Sequence, residues 1–227
     1  MCANFFNGNL DLSSINTAYI ALIPKIPAPE KPSDFRPISL VSMGLKIITK
    51  ILANRMQRVI ISLLHKNQYG FIKTRTIQDC LAWAFEYLYL CHKSKKEIVI
   101  IKLDFEKDFD MVDFSTILLM LKHLGFVEIF INWISQILNS ATTSIILNGV
   151  PEKCIKCKRG VRQGDPLSPL LFVATAELLQ IVINKAWQDG MLSLPLDSDY
   201  GQSFPILQYA DDTPFLLYLR TCARSST

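Results

Sequence analysis

Gln208-Tyr209-Ala210-Asp211-Asp212-Thr213-Pro214-Phe215 places two adjacent carboxylates between two apolar runs, residues 204–207 and 215–219. The flanks read as strands and the centre as the turn of a β-hairpin, where Asp is at home. A turn needs only one such residue. Two neighbouring anions in an apolar setting repel each other and lose hydration, a cost that a bound cation would offset. On this stretch alone, turn and cation site both remain open.

Composition narrows the class. Half of the 227 residues are hydrophobic and the formal net charge is +4, with a mean hydropathy of +0.25. That is ample for a core and excludes a disordered chain or a basic tail. The longest apolar region, 167–183, is interrupted by Glu177 and Gln180 and reads as a buried helix rather than a membrane span. The start, MCANFFNGNLDLSSIN, has no basic region followed by an apolar one, so an intracellular, reducing setting without membrane contact is expected. The six cysteines form no evident disulfide framework, and the Cys154-x-x-Cys157 pair lacks the second pair that structural zinc requires. His65, His92 and His123 lie far apart and read as surface or helix-end residues, with no Ser/His/Asp constellation.

Along the chain, IPKIPAPEKPSDFRPIS (23–39) carries five prolines and predicts an extended connection. Helical spacing over 43–64, with Lys46, Lys50, Arg55 and Arg58 interleaved, predicts an amphipathic helix with a basic face. That face suits solvent or a nucleic-acid backbone equally. A turn-rich basic link at 68–76 precedes a helix over 77–90, and the β-branched run 98–103 predicts a buried strand ended by Asp104. Asp113 is the expected N-cap of a helix over 114–124 ended by Gly125, and a further helix covers 128–139. Residues 142–147 and 154–159 predict a hairpin around Asn148-Gly149-Val150-Pro151, and a long helix starts near Asp165 and Pro166, with proline in its first turn. The element order predicts an α+β fold, an antiparallel sheet backed by helices.

Three segments then stand together: the strand ending in Asp104, the RQGDP loop opening a helix, and the YADD turn. They offer carboxylates for hard cations and main-chain N–H groups for phosphate, a combination suited to two-metal phosphoryl transfer. Here the chain resembles the reverse transcriptases of non-LTR (LINE-type) retrotransposons, with a plant-element flavour. The resemblance runs through eight ordered blocks: YIALIPK, DFRPISL, KIITKILANRM, QYGFIKTRTIQD, KLDFEKDFDMVDF, SIILNGVP, RGVRQGDPLSPLLF and LQYADDT.

The resemblance implies the fingers and palm of a right-hand polymerase, with an antiparallel palm sheet. Residues 1–16 would be a lead-in, 17–96 fingers-like and 97–219 palm-like, the two interleaving around 140–165, and 220–227 a tail outside the pattern. It implies RNA-directed DNA polymerase activity, in which a primer 3′-OH attacks the α-phosphate of a dNTP on an RNA template with two Mg²⁺ ions, or Mn²⁺ in their place. Asp104 and Asp211 would bridge the metals with the carbonyl of Phe105, and Asp212 would hold the primer-end metal or its surroundings. Tyr209 and Ala210 would set the turn. Phe109 would be the aromatic gate against a ribose 2′-OH, Gln163 and Gly164 would touch nucleotide and template, and Lys73 and Arg75 the triphosphate. Action at nuclear DNA would follow by analogy.

Three positions depart from the family pattern. Asp108 replaces a small Ala before the gate, where an added like charge ~6 Å from a phosphate costs roughly 3 kcal/mol at an effective dielectric of ~20. Thr74 replaces a Gly, and Pro214 an apolar residue in a strand where proline suits an edge. The chain end after residue 219 leads to the expectation of a missing thumb. With the departures it leads to an alternative reading, an inactive relic that at most binds RNA or a partner.

Overall fold

The structure, a computed structural model, describes residues 1–95, 98–103, 105, 107–193, 206–210 and 213–217, with only the main chain described at 108 and 213–217. In chain order the elements are α1 (Cys2–Phe6), β1 (Thr17–Pro24), β2 (Phe35–Val41), α2 (Met43–Leu63), α3 (Ile77–Lys93), β3 (Val99–Leu103), α4 (Asp108–Met111), α5 (Phe114–His123), α6 (Glu128–Asn139), β4 (Thr142–Leu147), β5 (Val150–Pro151), β6 (Ile155–Lys156), α7 (Ser168–Gln188) and β7 (Thr213–Leu217). They fall into two compact units, each made of two chain segments: Met1–Ile60 with Lys107–Thr175, and Ile61–Glu106 with Ala176–Thr227.

In the first unit the proline-rich stretch is not a mere connection. β1 and β2 pair antiparallel from Ala18↔Val41 to Pro24↔Phe35, and a single 3-10 turn at Pro32–Asp34 lies in their link. Pro37 is tolerated because β2 is the edge of the sheet β2-β1-β4-β5, where a missing N–H breaks no inner ladder. β1 also pairs with β4, in parallel, from Thr17↔Thr142 to Ile20↔Ile145; this parallel junction is the departure from an otherwise antiparallel pattern. The β4 hairpin is tighter than expected. Asn148 and Gly149 both have positive φ and form the turn alone, while Val150 and Pro151 pair with Leu147 and Ile146. Primed two-residue turns match strand twist, which favours this shorter loop.

The buried stripe Leu45, Ile48, Leu52, Met56 and Ile60 on α2 carries the helical spacing into the core, each residue at 1% exposure or less. Burial of each such side chain contributes about 1.5–3 kcal/mol. α2 and α6 match their expected spans within a residue. α5 has the anticipated Asp113 cap, which accepts from the Ser115 N–H, and stops before Gly125, which has positive φ. α7 starts later than expected, at Ser168, so its first-turn proline is Pro169. Pro166 instead disfavours helical backbone at Asp165, whose Oδ1 accepts the Leu167 N–H at 2.9 Å. α7 is long and apolar enough to cross a membrane by length and composition. However, Leu170 to Ala174 are buried in the protein core, as are Glu177 and Gln180.

In the second unit α3 extends to Lys93 and opens on a Thr76/Asp79 capping box, a signal that fixes its start. β3 and β7 form an antiparallel pair from Val99↔Leu217 to Leu103↔Thr213. The flanks of YADD were expected to pair with each other. That pairing involves residues outside the described ones; among the described residues β7 pairs with β3 and Gln208 with Gln68 in a parallel bridge. A strand pair backed by distant residues buries more than an isolated hairpin can.

Candidate active site

The second unit carries the approach to the aspartate pair. The last carbonyls of a helix have no intrahelical partner, and Arg75 supplies one for α2: its guanidinium donates to the Ile61, His65 and Gln68 carbonyls at 3.2, 2.5 and 2.6 Å. Burial pulls its pKa below the usual guanidinium range. Beside it Glu177, buried at 7% exposure, accepts the His65 N–H through both oxygens at 3.2 Å, and burial raises its pKa. His65 is no surface histidine, since burial, helped by Lys66 and Arg75, pushes its pKa down to about 4. His92 and His123 do sit in the last turns of α3 and α5.

From this base the chain passes into segment 67–70, which is pinned to 208–210. The Gln208 N–H donates to the Asn67 carbonyl at 2.9 Å and the Tyr69 N–H to the Gln208 carbonyl at 2.7 Å. Gln68 and Gln208 are both almost wholly buried. The Gln68 Oε1 accepts the Gly70 N–H at 2.9 Å and the Ala210 N–H at 3.4 Å. Its amide donates to Gln208 Oε1 at 3.4 Å, and the Gln208 amide donates to the Ala176 carbonyl at 3.2 Å. Ala210 has φ +58°, left-handed and strained for a residue with a Cβ. Position 70 must be glycine, because a Cβ there would lie 2.3 Å from the Ala210 nitrogen.

Asp104, Asp211 and Asp212 lie outside the described residues. Their chain neighbours do not: Leu103 pairs with Thr213 at one end of the β3–β7 ladder. Phe105 and Tyr209 are exposed, Ala210 is buried, and Lys73 is exposed on the loop before α3. Thr74 does not adopt positive φ; Phe71 does, at +57°. Among the described residues no three His, Cys, Asp or Glu side chains cluster as metal ligands.

The first unit holds the remaining expected residues. The Phe109 ring stacks on Phe172 of α7, 4.6 Å between centroids and nearly parallel, and its carbonyl accepts the Val161 N–H at 2.7 Å. Two residues on, the Gln163 carbonyl accepts the Ser39 N–H of β2 at 3.0 Å. Gly164, at φ +105°, lies so close to β2 that a Cβ would be 3.1 Å from the Ser39 carbonyl oxygen. Phe109, Gln163 and Gly164 are therefore tied to one loop. What holds that loop went unread in the sequence. Arg162 donates to the Asn16 side-chain oxygen, to the Asn16 carbonyl at 2.9 Å and to the Thr142 carbonyl at 2.7 Å. Fully buried Asn16 donates to the Ile137 carbonyl at 2.7 Å and to Ser140 Oγ at 2.8 Å. Their only signal was a buried-type Asn before a strand and an Arg inside a glycine-flanked loop.

Residues 23–221 match the family described as Reverse transcriptase (RNA-dependent DNA polymerase). The chain belongs to this family. Among curated relatives of this reverse transcriptase domain, the Pol polyprotein of the R2 retrotransposable element of Popillia japonica is 34% identical over 84% of this chain and 26% of its own length. That of R2DM from Drosophila melanogaster is 33% identical over 73% of the chain and 15% of its own length. The chain thus spans about a quarter or less of these polyproteins. The expected membership among non-LTR retrotransposon reverse transcriptase domains is borne out. Solved structures agree on the fold: apo telomerase from Candida tropicalis has a TM-score of 0.62 at 14% identity, covering 91% of this chain and 44% of that one. Telomerase from the same organism with a TWJ fragment of telomeric RNA has 0.63 at 15%, covering 91% and 37%. The α+β class, a sheet backed by helices as in polymerase fingers and palm, stands.

Proposed function

We propose that this reverse transcriptase domain is a catalytic one, extending a DNA primer with dNTPs on an RNA template. The observation that carries the reading is the Leu103↔Thr213 pairing. The residue before Asp104 faces the residue after Asp212, which supports reading the three aspartates as ligands of one site. Three carboxylates and the Phe105 carbonyl are a hard, all-oxygen donor set, which fits Mg²⁺ or Mn²⁺ and no soft metal. Such ions, when bound, make the primer 3′-OH a better nucleophile and neutralise charge on the leaving pyrophosphate.

The chain's own residues do the rest. Asp104 and Asp211 would be the side chains that hold both ions, and Asp212 would serve the primer side. Exposed Lys73 is the proposed contact to the triphosphate, as a flexible point charge. The flat ring of Phe109, locked by Phe172, supplies a rigid wall against a ribose 2′-OH. Gln163 and Gly164 expose a loop whose main chain can approach the base pair. RNA and primer are gripped through phosphates, without base reading, by faces such as Lys46, Lys50 and Arg58 of α2. Arg55 on that helix is engaged over the Phe6 ring at 4.6 Å.

A second reading, an inactive RNA-binding relic, is favoured by one observation: Asp108 stands directly before the gate residue. The test is primer extension on an RNA template with Mg²⁺ and dNTPs, beside Asp211→Asn, Asp108→Ala and Phe109→Ala. Template-directed synthesis lost in Asp211→Asn, and ribonucleotide incorporation rising in Phe109→Ala, is the expected result. No synthesis by the parent chain, or synthesis indifferent to Asp211→Asn, overturns the catalytic reading.

A further inference from the structure

We propose that Gln68 and Gln208 form a buried amide latch that positions the turn leading into Asp211 and Asp212, with Arg75 as its anchor rather than a nucleotide contact. The proposal rests on the reading of that turn as part of a metal site and adds positioning residues that sit on separate segments of the chain.

Ala210, the last described residue before the two aspartates, is held in the left-handed region, a conformation disfavoured for a residue with a Cβ. Such a conformation persists only where the surroundings over-determine it. Here Gln68 does so. Its Oε1 accepts the Ala210 N–H and the Gly70 N–H together, and the missing side chain at Gly70 lets the two main chains approach closely. Gln208 completes the chain of amides, taking a hydrogen bond from Gln68 and passing one to the Ala176 carbonyl on α7. Both side chains are out of water, at 0% and 1% exposure, so each amide left unpaired would be penalised in full. Behind the latch, Arg75 fixes the main chain of Gln68 itself through the Gln68 carbonyl. With three carbonyls on its guanidinium, Arg75 is committed to structure, which leaves the triphosphate to Lys73.

The latch acts on the pose of the turn, and therefore on cation affinity and on the chemical step, without touching dNTP. The probe is Tb³⁺, excited through Tyr209, the exposed tyrosine two residues from Asp211. Gln68→Met and Gln208→Met, each similar in shape but without the amide, are expected to weaken Tb³⁺ binding about tenfold, as loss of outer partners of metal ligands does. The double variant is expected to lose no more than either single one, because one broken link opens the latch. In primer extension the same variants lower kcat while the dNTP KM stays put, a split that general loss of folded protein would not give. Parent-like Tb³⁺ affinity in variants that keep their near-ultraviolet circular dichroism overturns the latch. So does collapse of folding in both, which a purely structural role would explain. If the parent chain binds no Tb³⁺, or if Asp211→Asn binds it equally well, the metal-site reading fails and takes the latch with it. If Asp211→Asn abolishes binding and Gln68→Met does not, only the latch fails.

Discussion

Gly70 shows how little room a single residue leaves. A Cβ at this position would fall 2.3 Å from the Ala210 nitrogen, against backbone rather than a yielding side-chain tip. Gly70→Ala is therefore expected to cost about 2 kcal/mol or more, in the range of core overpacking. The check is urea denaturation at neutral pH, and an unchanged midpoint would show that the two segments are not in contact. His65 gives a pH signature. Its folded-state pKa, about 4, lies below the ordinary 6.5 because burial disfavours the cation. Its contribution is therefore fully present above pH 6.5 and is lost as pH falls towards 4. Glu177, raised by burial, acts in the opposite sense: its carboxylate form becomes a liability as pH rises above 4.5. Comparison with His65→Gln cancels that opposing trend. Between pH 7 and 4.5 the parent chain is expected to lose more stability than the variant, and equal losses would show that the imidazole is not buried when folded.

At the level of elements, α3 is the clearest case of a start fixed by local chemistry. Thr76 and Asp79 cap each other's N–H groups, and Thr76→Ala is expected to cost about 1 kcal/mol, read as a lower thermal midpoint with the fold kept. Helices were the most legible elements because their signals are local. The 3.6-residue stripe of α2, the Asp113 cap and the Gly125 stop of α5 are all written within a few residues of where they act. Strand partners were not legible in the same way. The strand at 142–147 was legible and the one at 17–24 was not, and nothing within either segment shows that they lie side by side in parallel, about 125 residues apart. Likewise nothing within 213–217 shows that this strand pairs with β3, far earlier in the chain. The start of α7 was misplaced because Asp165-Pro166 imitates an N-terminus that Ser168-Pro169 supplies.

Across the whole molecule, each compact unit is built from two distant chain segments, so the residues proposed for the chemistry depend on long-range closure. The candidate site was legible in the sequence as ordered blocks, above all LDF, RQGDP and YADD. Its supports were not. Arg162 with Asn16, and Gln68 with Gln208, are polar side chains whose role exists only once distant segments meet, and a buried amide looks no different in a sequence from an exposed one. Arg75 illustrates the limit most sharply, since a cation in a basic loop invites a phosphate and here serves three carbonyls. The central claim is that the paired ends of β3 and β7 bring Asp104 and Asp211 to one divalent cation. Mn²⁺ binding followed by electron paramagnetic resonance tests it in the parent chain, Asp104→Asn and Asp211→Asn. The account predicts saturable binding that weakens at least about tenfold in each variant, because each removes a ligand from the same site. Parent-like Mn²⁺ affinity in Asp104→Asn, with binding lost only in Asp211→Asn, would contradict it.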